Sequence, residues 1–265
     1  MTSRDGASGN VALLIDADNA SAAHFDPVMT VLAELGTVNI RRAYGNWSKP
    51  TLKAWAKLSV AHAIEPQQQF DLTKGKNATD MKMTIDAMDL MASGRVRGFG
   101  LMSSDSDFTP LATRIRQEGI PVYGFGTANT PEGFRRACTR FIDVAALGAA
   151  ALLVDADDAP APARSKAVAS AAKPKSPAPT APTAKPVPQT VDAEVIKLLI
   201  DAYDSVKRDE RGFVRLGSVG QLAGNRSSFD VRNYGYKRLS DMIQVIPNFL
   251  VETREGGQVW IKRVQ

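Results

Sequence analysis

The sequence predicts an α/β domain with a mostly parallel sheet, then a linker, then a small winged-helix-like α+β domain. Before residue 150, short apolar runs alternate with amphipathic segments, which is the pattern of a parallel sheet covered by helices. Between residues 151 and 190, the chain consists mainly of Ala, Pro, Ser, Thr and Lys. After residue 190, helical patterns are followed by two strand-like runs around a Gly-Gly pair, which indicates a terminal hairpin.

Residues 1–150 are predicted to form the first domain from the spacing of their apolar residues. Strands are assigned to short apolar or alternating runs, such as Val-Ala-Leu-Leu-Ile before Asp16. Helices are assigned where apolar residues recur every three or four positions, with Pro50 and Pro110 in first turns and Thr79 as a candidate N-cap. The predicted order is strand 11–15, helix 26–35, strand 37–44, helix 50–58, strand 61–65, helix 79–91, strand 98–103, helix 107–119, strand 121–125, helix 131–137 and strand 141–144.

The linker and the second domain are predicted from a change in composition. Eight of the 15 prolines lie between Pro160 and Pro188, in a stretch without aromatic residues. Such a stretch buries too little apolar surface to offset the entropy of ordering, so residues 151–190 are predicted to be a disordered linker. Residues 191–265 form the second domain, with predicted helices at 195–203, 219–222 and 236–246 and a hairpin of 249–253 and 259–263.

The composition excludes several classes of protein. No apolar run is long enough for a membrane span, and the N-terminal residues lack an apolar signal core, so we expect a cytoplasmic protein. The single cysteine and two histidines exclude an internal disulfide and a Cys/His zinc site. Any metal must then be a hard ion held by oxygen, such as Mg²⁺ or Mn²⁺. The net charge of +5 is compatible with a polyanionic partner.

Aspartates follow the predicted strands at the edge where ligands bind in open parallel sheets. Asp16 and Asp18 follow the first strand, Asp105 and Asp107 follow the fourth, and Asp80 opens a helix. Carboxylates that converge in this way repel one another unless a cation neutralises them. We therefore expect a divalent metal at this edge and phosphate chemistry on a bound substrate.

Some of these acids also have plainer interpretations. Asp107 could simply cap its helix and Asp18 could be a turn residue, while Asp86 and Asp89 are expected on a solvated helix face. The spacing of Asp16 and Asp18 also matches a haloacid-dehalogenase-type phosphatase, although Ala20 stands where that class has a hydroxyl or β-branched residue.

Four short motifs occur in order along the first domain. They are IDADN at 15–19, Lys-Gly-Lys before Asp80, SSDSDF at 103–108 and GIPVYGFG at 119–126. Together they resemble the NYN domains over about residues 10–145, and the bacterial LabA-like branch in particular. This resemblance implies a PIN-like, Rossmann-like fold and an Mg²⁺- or Mn²⁺-dependent ribonuclease. The catalytic and metal-binding acids that it implies are Asp16, Asp80, Asp105 and Asp107, with Asn19 supporting the site.

The second domain contains the run FDVRNYGYKRL at 229–239. Residues 192–264 resemble the OST-HTH, or LOTUS, domain through this run. The resemblance implies an RNA-binding module; some members prefer G-rich or structured RNA, and others dock protein partners.

RNA is therefore the expected partner of both domains, and no oligomeric state is predicted. Basic side chains could hold phosphates and an exposed tyrosine could stack on a base, although surface cations are often only solubilising. The candidate RNA-binding residues are Arg41, Lys74, Lys76, Arg226, Arg232, Tyr234, Lys237 and Arg238. The favoured function is a metal-dependent ribonuclease with a tethered RNA-binding module. The alternatives are a non-catalytic RNA-binding adaptor and a phosphatase, and a protein partner of the C-terminal domain stays open.

Overall fold

The computed structural model describes residues 9–70, 77–147 and 191–264. The predicted linker at 151–190 and the candidate RNA-binding residues Lys74 and Lys76 lie outside these ranges. Among the described residues, no helix combines the length and the apolar character that a membrane span requires. The cytoplasmic location stays a prediction.

The first domain is built on a six-stranded sheet in the order β3-β2-β1-β4-β5-β6. Every neighbouring pair of strands is parallel. The strands are β1 Asn10–Asp16, β2 Thr37–Gly45, β3 Glu65–Gln68, β4 Gly98–Met102, β5 Val122–Gly126 and β6 Arg140–Asp143. The predicted α/β fold is therefore confirmed.

Helices cover the two faces of this sheet. They are α1 Phe25–Leu35, α2 Lys53–Ala61, α3 Ala78–Ala92, α4 Thr109–Gln117 and α5 Glu132–Ala137. Successive residues of β1 point to opposite faces of the sheet. Leu13 and Ile15 pack with α1 and α2 on one face. Ala12 and Leu14 pack with α3, α4 and α5 on the other. A strand buried on both faces must be continuously apolar, which explains the run that opens the domain.

Three details of the first domain differ from the predictions. The third strand begins at Glu65 because α2 continues to Ala61 and the chain then turns at Ala63, which has a φ of 51°. Thr79 lies inside α3, and Asn77 occupies the N-cap position. Asp86 is 6% exposed, so its assignment to a solvated face was wrong.

The second domain contains three helices and a small antiparallel sheet. Its elements are α6 Ala193–Ser205, β7 Val214–Arg215, α7 Leu216–Arg226, α8 Leu239–Gln244, β8 Phe249–Arg254 and β9 Gln258–Arg263, with strand order β7-β9-β8. The third helix begins later than predicted because residues Val231–Tyr234 form a 3₁₀ turn that Gly235 ends with a φ of 80°. The predicted α+β character and the terminal hairpin are confirmed. The two-residue strand β7 is too short to produce a periodic pattern.

Candidate active site

Three aspartates meet at the carboxyl edge of the first domain's sheet. Asp80, Asp105 and Asp107 each offer one oxygen, and these oxygens lie within 4.8 Å of one another. Asp105 and Asp107 belong to the turn after β4, where the Asp107 backbone N–H donates to Oδ1 of Asp105 at 2.9 Å. Asp80 reaches the same place from the first turn of α3. The structure thus brings together three of the four acids that were predicted as metal ligands.

The fourth acid, Asp16, ends β1 and is fully buried. Its Oδ2 accepts hydrogen bonds from Nδ2 of Asn19 at 3.0 Å and from Oγ of Ser103 at 2.8 Å. Its Oδ1 is buried and has no hydrogen-bond partner among the described residues. Burial raises the pKa of Asp16 above its usual value. An unpaired, buried carboxylate oxygen is costly, and a cation would offset that cost.

Mutual repulsion is clearest at Asp80. The pKa of Asp80 is raised to about 6, first by burial and then by the charges of Asp16, Asp105, Asp107 and Asp18. Asp16 is the strongest of these charged neighbours, so it belongs electrostatically to the same cluster. A group of hard oxygen donors with excess negative charge suits Mg²⁺ or Mn²⁺.

Asp18 has a structural role beside this cluster. Its Oδ1 lies 3.1 Å from Nζ of Lys49, while its Oδ2 accepts from the Asn46 backbone N–H and from Oγ1 of Thr79, both at 3.3 Å. Asp18 therefore joins the loop after β1 to the loop after β2 and to α3. Thr79, which was predicted to be an N-cap, instead takes part in this connection through its hydroxyl.

Two supporting side chains were missed by the sequence analysis. Ser103 donates to Asp16 and also accepts from the Asp105 backbone N–H at 3.1 Å, so it links the ends of β1 and β4. Nδ2 of Asn77 donates to Oδ2 of Asp107. Ser103 opens the SSDSDF motif, which could have marked it as a site residue. Its partner, Asp16, lies 87 positions away in the sequence.

Arg41 is not brought to the acid cluster. In the register of β1 with β2, Arg41 is the partner of Leu13. This pair lies three positions before the pair of Asp16 with Tyr44. Its guanidinium donates to the backbone carbonyls of Val38 at 3.2 Å and His62 at 2.8 Å. In this structure, Arg41 ties β2 to the end of α2.

The four predicted RNA-binding cations of the second domain differ in exposure. Arg226, Lys237 and Arg238 are exposed. The side chain of Arg232 is only 17% exposed, and its Nη1 lies 3.0 Å from Oδ2 of the buried Asp230. Three of the four are thus available to an anionic ligand as they stand.

Tyr234 is half-buried in the second domain. Its ring centre lies 6.1 Å from that of Phe229, and its hydroxyl lies 3.4 Å from Oδ2 of Asp192. Burial and the nearby Asp192 carboxylate raise the pKa of Tyr234 to about 12. Its hydroxyl therefore stays protonated at neutral pH, while part of the ring packs against the domain.

Two family models match the chain. The NYN domain model matches residues 10–145, and the OST-HTH/LOTUS domain model matches residues 186–261. An uncharacterized protein of Methanocaldococcus jannaschii is 27% identical over 128 residues, which cover 44% of this chain and 50% of the relative. The chain thus spans about half the length of the curated relative that it matches.

Two solved structures are similar to parts of the chain. A protein of unknown function from Vibrio parahaemolyticus has a TM-score of 0.44 at 19% identity, covering 54% of this chain and 96% of that one. An uncharacterized protein from Nitrosomonas europaea has a TM-score of 0.27 at 24% identity, covering 35% of this chain and 92% of that one.

Proposed function

The chain belongs to the NYN domain family, and we propose that it is a divalent-cation-dependent ribonuclease whose C-terminal domain binds RNA. NYN domains are PIN-like nucleases, and the match to the OST-HTH/LOTUS domain suggests RNA binding. The observation that carries the proposal is the convergence of Asp80, Asp105 and Asp107 beside the buried Asp16. The division into residues 1–150, 151–190 and 191–265 is part of the same proposal.

In this proposal Asp80, Asp105 and Asp107 hold Mg²⁺ or Mn²⁺, and Asp16 supports them from the end of β1. A bound divalent cation supplies Lewis-acid polarisation of the phosphodiester and neutralises charge that develops during attack by water. The identity of the ion, Mg²⁺ or Mn²⁺, is likewise part of the proposal.

The protein's contribution is to fix the carboxylates before RNA arrives. Asn19 and Ser103 both donate to Oδ2 of Asp16, which leaves its Oδ1 for the cluster. The backbone N–H of Asp107 holds one oxygen of Asp105. Groups oriented in advance need not be reorganised during the reaction, which is the usual source of electrostatic catalysis.

The decisive experiment measures cleavage of mixed RNA by the full chain with Mg²⁺, with Mn²⁺ and with EDTA, using DNA as a comparison. We expect cleavage of RNA that EDTA abolishes. Asp105→Asn should lower the rate by at least about a hundredfold, because it removes a charged ligand without changing side-chain volume. Asp89→Asn is the matched control, since Asp89 is exposed on the helix that carries Asp80.

The remaining outcomes would overturn the site assignment or favour another function. Cleavage that persists in EDTA, or in folded Asp105→Asn, would overturn the site assignment. Tight RNA binding without cleavage would favour the non-catalytic adaptor. A phosphatase would hydrolyse small phosphate esters, but it needs Asp18 as a proton donor, and Lys49 and the Asn46 backbone N–H already occupy both oxygens of that side chain.

A further inference from the structure

Strand β6 is the last strand of the first domain's sheet. One side of it pairs with β5, and no strand within residues 9–70, 77–147 and 191–264 pairs with the backbone groups on its other side. Unpaired N–H and C=O groups of this kind are a ready binding surface for another segment of chain. The second domain supplies that segment.

Three hydrogen bonds join the second domain to the outer side of β6. The Phe141 backbone N–H donates to the backbone carbonyl of Ser228 at 3.1 Å. Nδ2 of Asn233 donates to the Phe141 carbonyl at 2.8 Å, and Oδ1 of Asn233 accepts from the Asp143 backbone N–H at 2.8 Å. The side-chain amide of Asn233 thus bonds to the carbonyl of Phe141 and to the N–H of Asp143, two residues later. The backbone of a neighbouring strand would make the same two bonds. An asparagine suits this position because its side chain carries a donor and an acceptor together.

An ion pair adds a second attachment on α1. Nη2 of Arg232 contacts Oε2 of Glu34, while Nη1 of the same guanidinium bonds to Asp230 within its own domain. Asp230 is 4% exposed and also accepts from the Arg232 backbone N–H at 2.9 Å. The Asp230 carboxylate therefore holds Arg232 in position to reach Glu34.

The attachment also determines where two predicted RNA-binding cations lie. Lys237 and Arg238 line a cleft of about 700 Å³ together with Asp26 and Glu34 of α1. These cations lie at the boundary between the domains.

We propose that residues 228–238 form an intramolecular docking segment that attaches the C-terminal domain to β6 and α1 of the same chain. The occupant of the β6 edge is this segment, which contains Ser228 and most of the FDVRNYGYKRL run and joins the two folded domains in one orientation. The RNA-binding module is then presented to the nuclease domain from a fixed direction. This proposal concerns the assembly of the chain and stands independently of whether the chain cleaves RNA.

The test is amide hydrogen exchange of the full chain, with small-angle scattering on the same samples. In the wild type, the Phe141 and Asp143 amides should exchange slowly. Asn233→Ala should speed the exchange of both by at least about tenfold and increase the radius of gyration, because the domain is released. The Phe99 amide, which donates to the Pro121 carbonyl at 2.9 Å inside the sheet, should not change.

Two further variants complete the experiment. Glu34→Lys replaces an acid of α1 and leaves the second domain intact, so a similar release in this variant excludes simple unfolding of that domain. Asn225→Ala removes an exposed asparagine of α7 and should have no effect. Unchanged exchange and scattering in both Asn233→Ala and Glu34→Lys would overturn the proposal. Protection that depends on protein concentration, with a dimeric mass, would show that the occupant is a second copy and would equally overturn it.

Discussion

The hydroxyl of Tyr44 donates a 3.1 Å hydrogen bond to Oδ2 of the buried Asp86. This contact joins the end of β2 to the middle of α3, the helix whose first turn carries Asp80. Two cations complete the environment of the same carboxylate: Nζ of Lys82 at 2.7 Å and Nη1 of Arg42 at 3.4 Å. The position of Asp80 therefore depends on a polar network that reaches across two elements.

We expect Asp86→Asn to reduce the free energy of unfolding by about 1–2 kcal/mol, because a charged acceptor is lost from a buried network. Asp89→Asn, on the exposed side of the same helix, should change it by less than about 0.5 kcal/mol. Urea denaturation monitored by circular dichroism measures both. Equal losses in the two variants would contradict a specific role for the network.

Asp80→Asn should stabilise the protein when no cation is present. The folded-state pKa of Asp80, about 6, lies above its ordinary value of 3.8, so the folded protein binds this proton more tightly than the unfolded chain. Through this group, stability falls as the pH rises between these two values, and the loss is complete above the higher one. In EDTA the variant should melt a few degrees higher than the wild type at about pH 7.5, with little difference near pH 4.

Addition of Mg²⁺ should reverse this order, because a bound cation stabilises the wild type by mass action. Scanning calorimetry with and without the cation is the measurement. A variant that melts lower than the wild type in EDTA at neutral pH would show that the Asp80 carboxylate is not repelled by its neighbours.

Cys138 should resist thiol reagents in the folded protein. Burial raises the pKa of its thiol to about 12, and the residue is 1% exposed. The thiolate is the reactive form, so labelling by a disulfide reagent near pH 8 should be at least about a hundredfold slower than in the unfolded chain. Rapid labelling of one thiol per chain without denaturant would contradict this prediction.

Lys237→Ala combined with Arg238→Ala should weaken RNA binding and lower its salt dependence. Both side chains are exposed, so the fold should retain its stability. Loss of two phosphate contacts should reduce the slope of log affinity against log salt by about 2. Fluorescence anisotropy over a salt series gives the slope, and exposed Lys197 and Lys207, both changed to alanine, provide a charge-matched control. An unchanged slope would mean that these cations do not contact the RNA backbone.

Tyr234→Ala distinguishes stacking from packing. The ring is half-buried beside Phe229, so part of the loss should appear as lower stability of the second domain. If the exposed part stacks on a base, affinity should fall by about 1–3 kcal/mol beyond what the loss of stability explains. Tyr234→Phe, which keeps the ring, should retain that affinity. Equal RNA affinity in the alanine variant would assign Tyr234 to packing alone.

The sequence was sufficient for the parallel sheet and for the edge where the acids gather. Apolar runs report burial on both faces of a strand, and an aspartate directly after such a run must lie at its carboxyl end. Asp86 was placed wrongly because its partner Tyr44 lies 42 positions away on another element. Helical periodicity describes one helix and carries no information about the residues that pack against it.

For the same reason, the sequence did not predict the hydrogen bond between Ser103 and Asp16, which exists because β1 and β4 are neighbours in the sheet. The contacts of Asn233 were not predicted either, because its backbone partners lie about 90 positions earlier in the chain. The run that contains Asn233 is informative about family, but nothing within that run identifies the surface it touches.

The two outer strands of the nuclease-type sheet are protected from self-association in different ways. Strand β3 is four residues long and contains Pro66, which cannot donate a backbone hydrogen bond, so it is a poor template for another chain. Strand β6 has no such residue and is covered by Ser228 and Asn233 instead. Removal of the C-terminal domain would expose this edge to other molecules. We therefore expect the first domain to aggregate more readily when the second domain is absent.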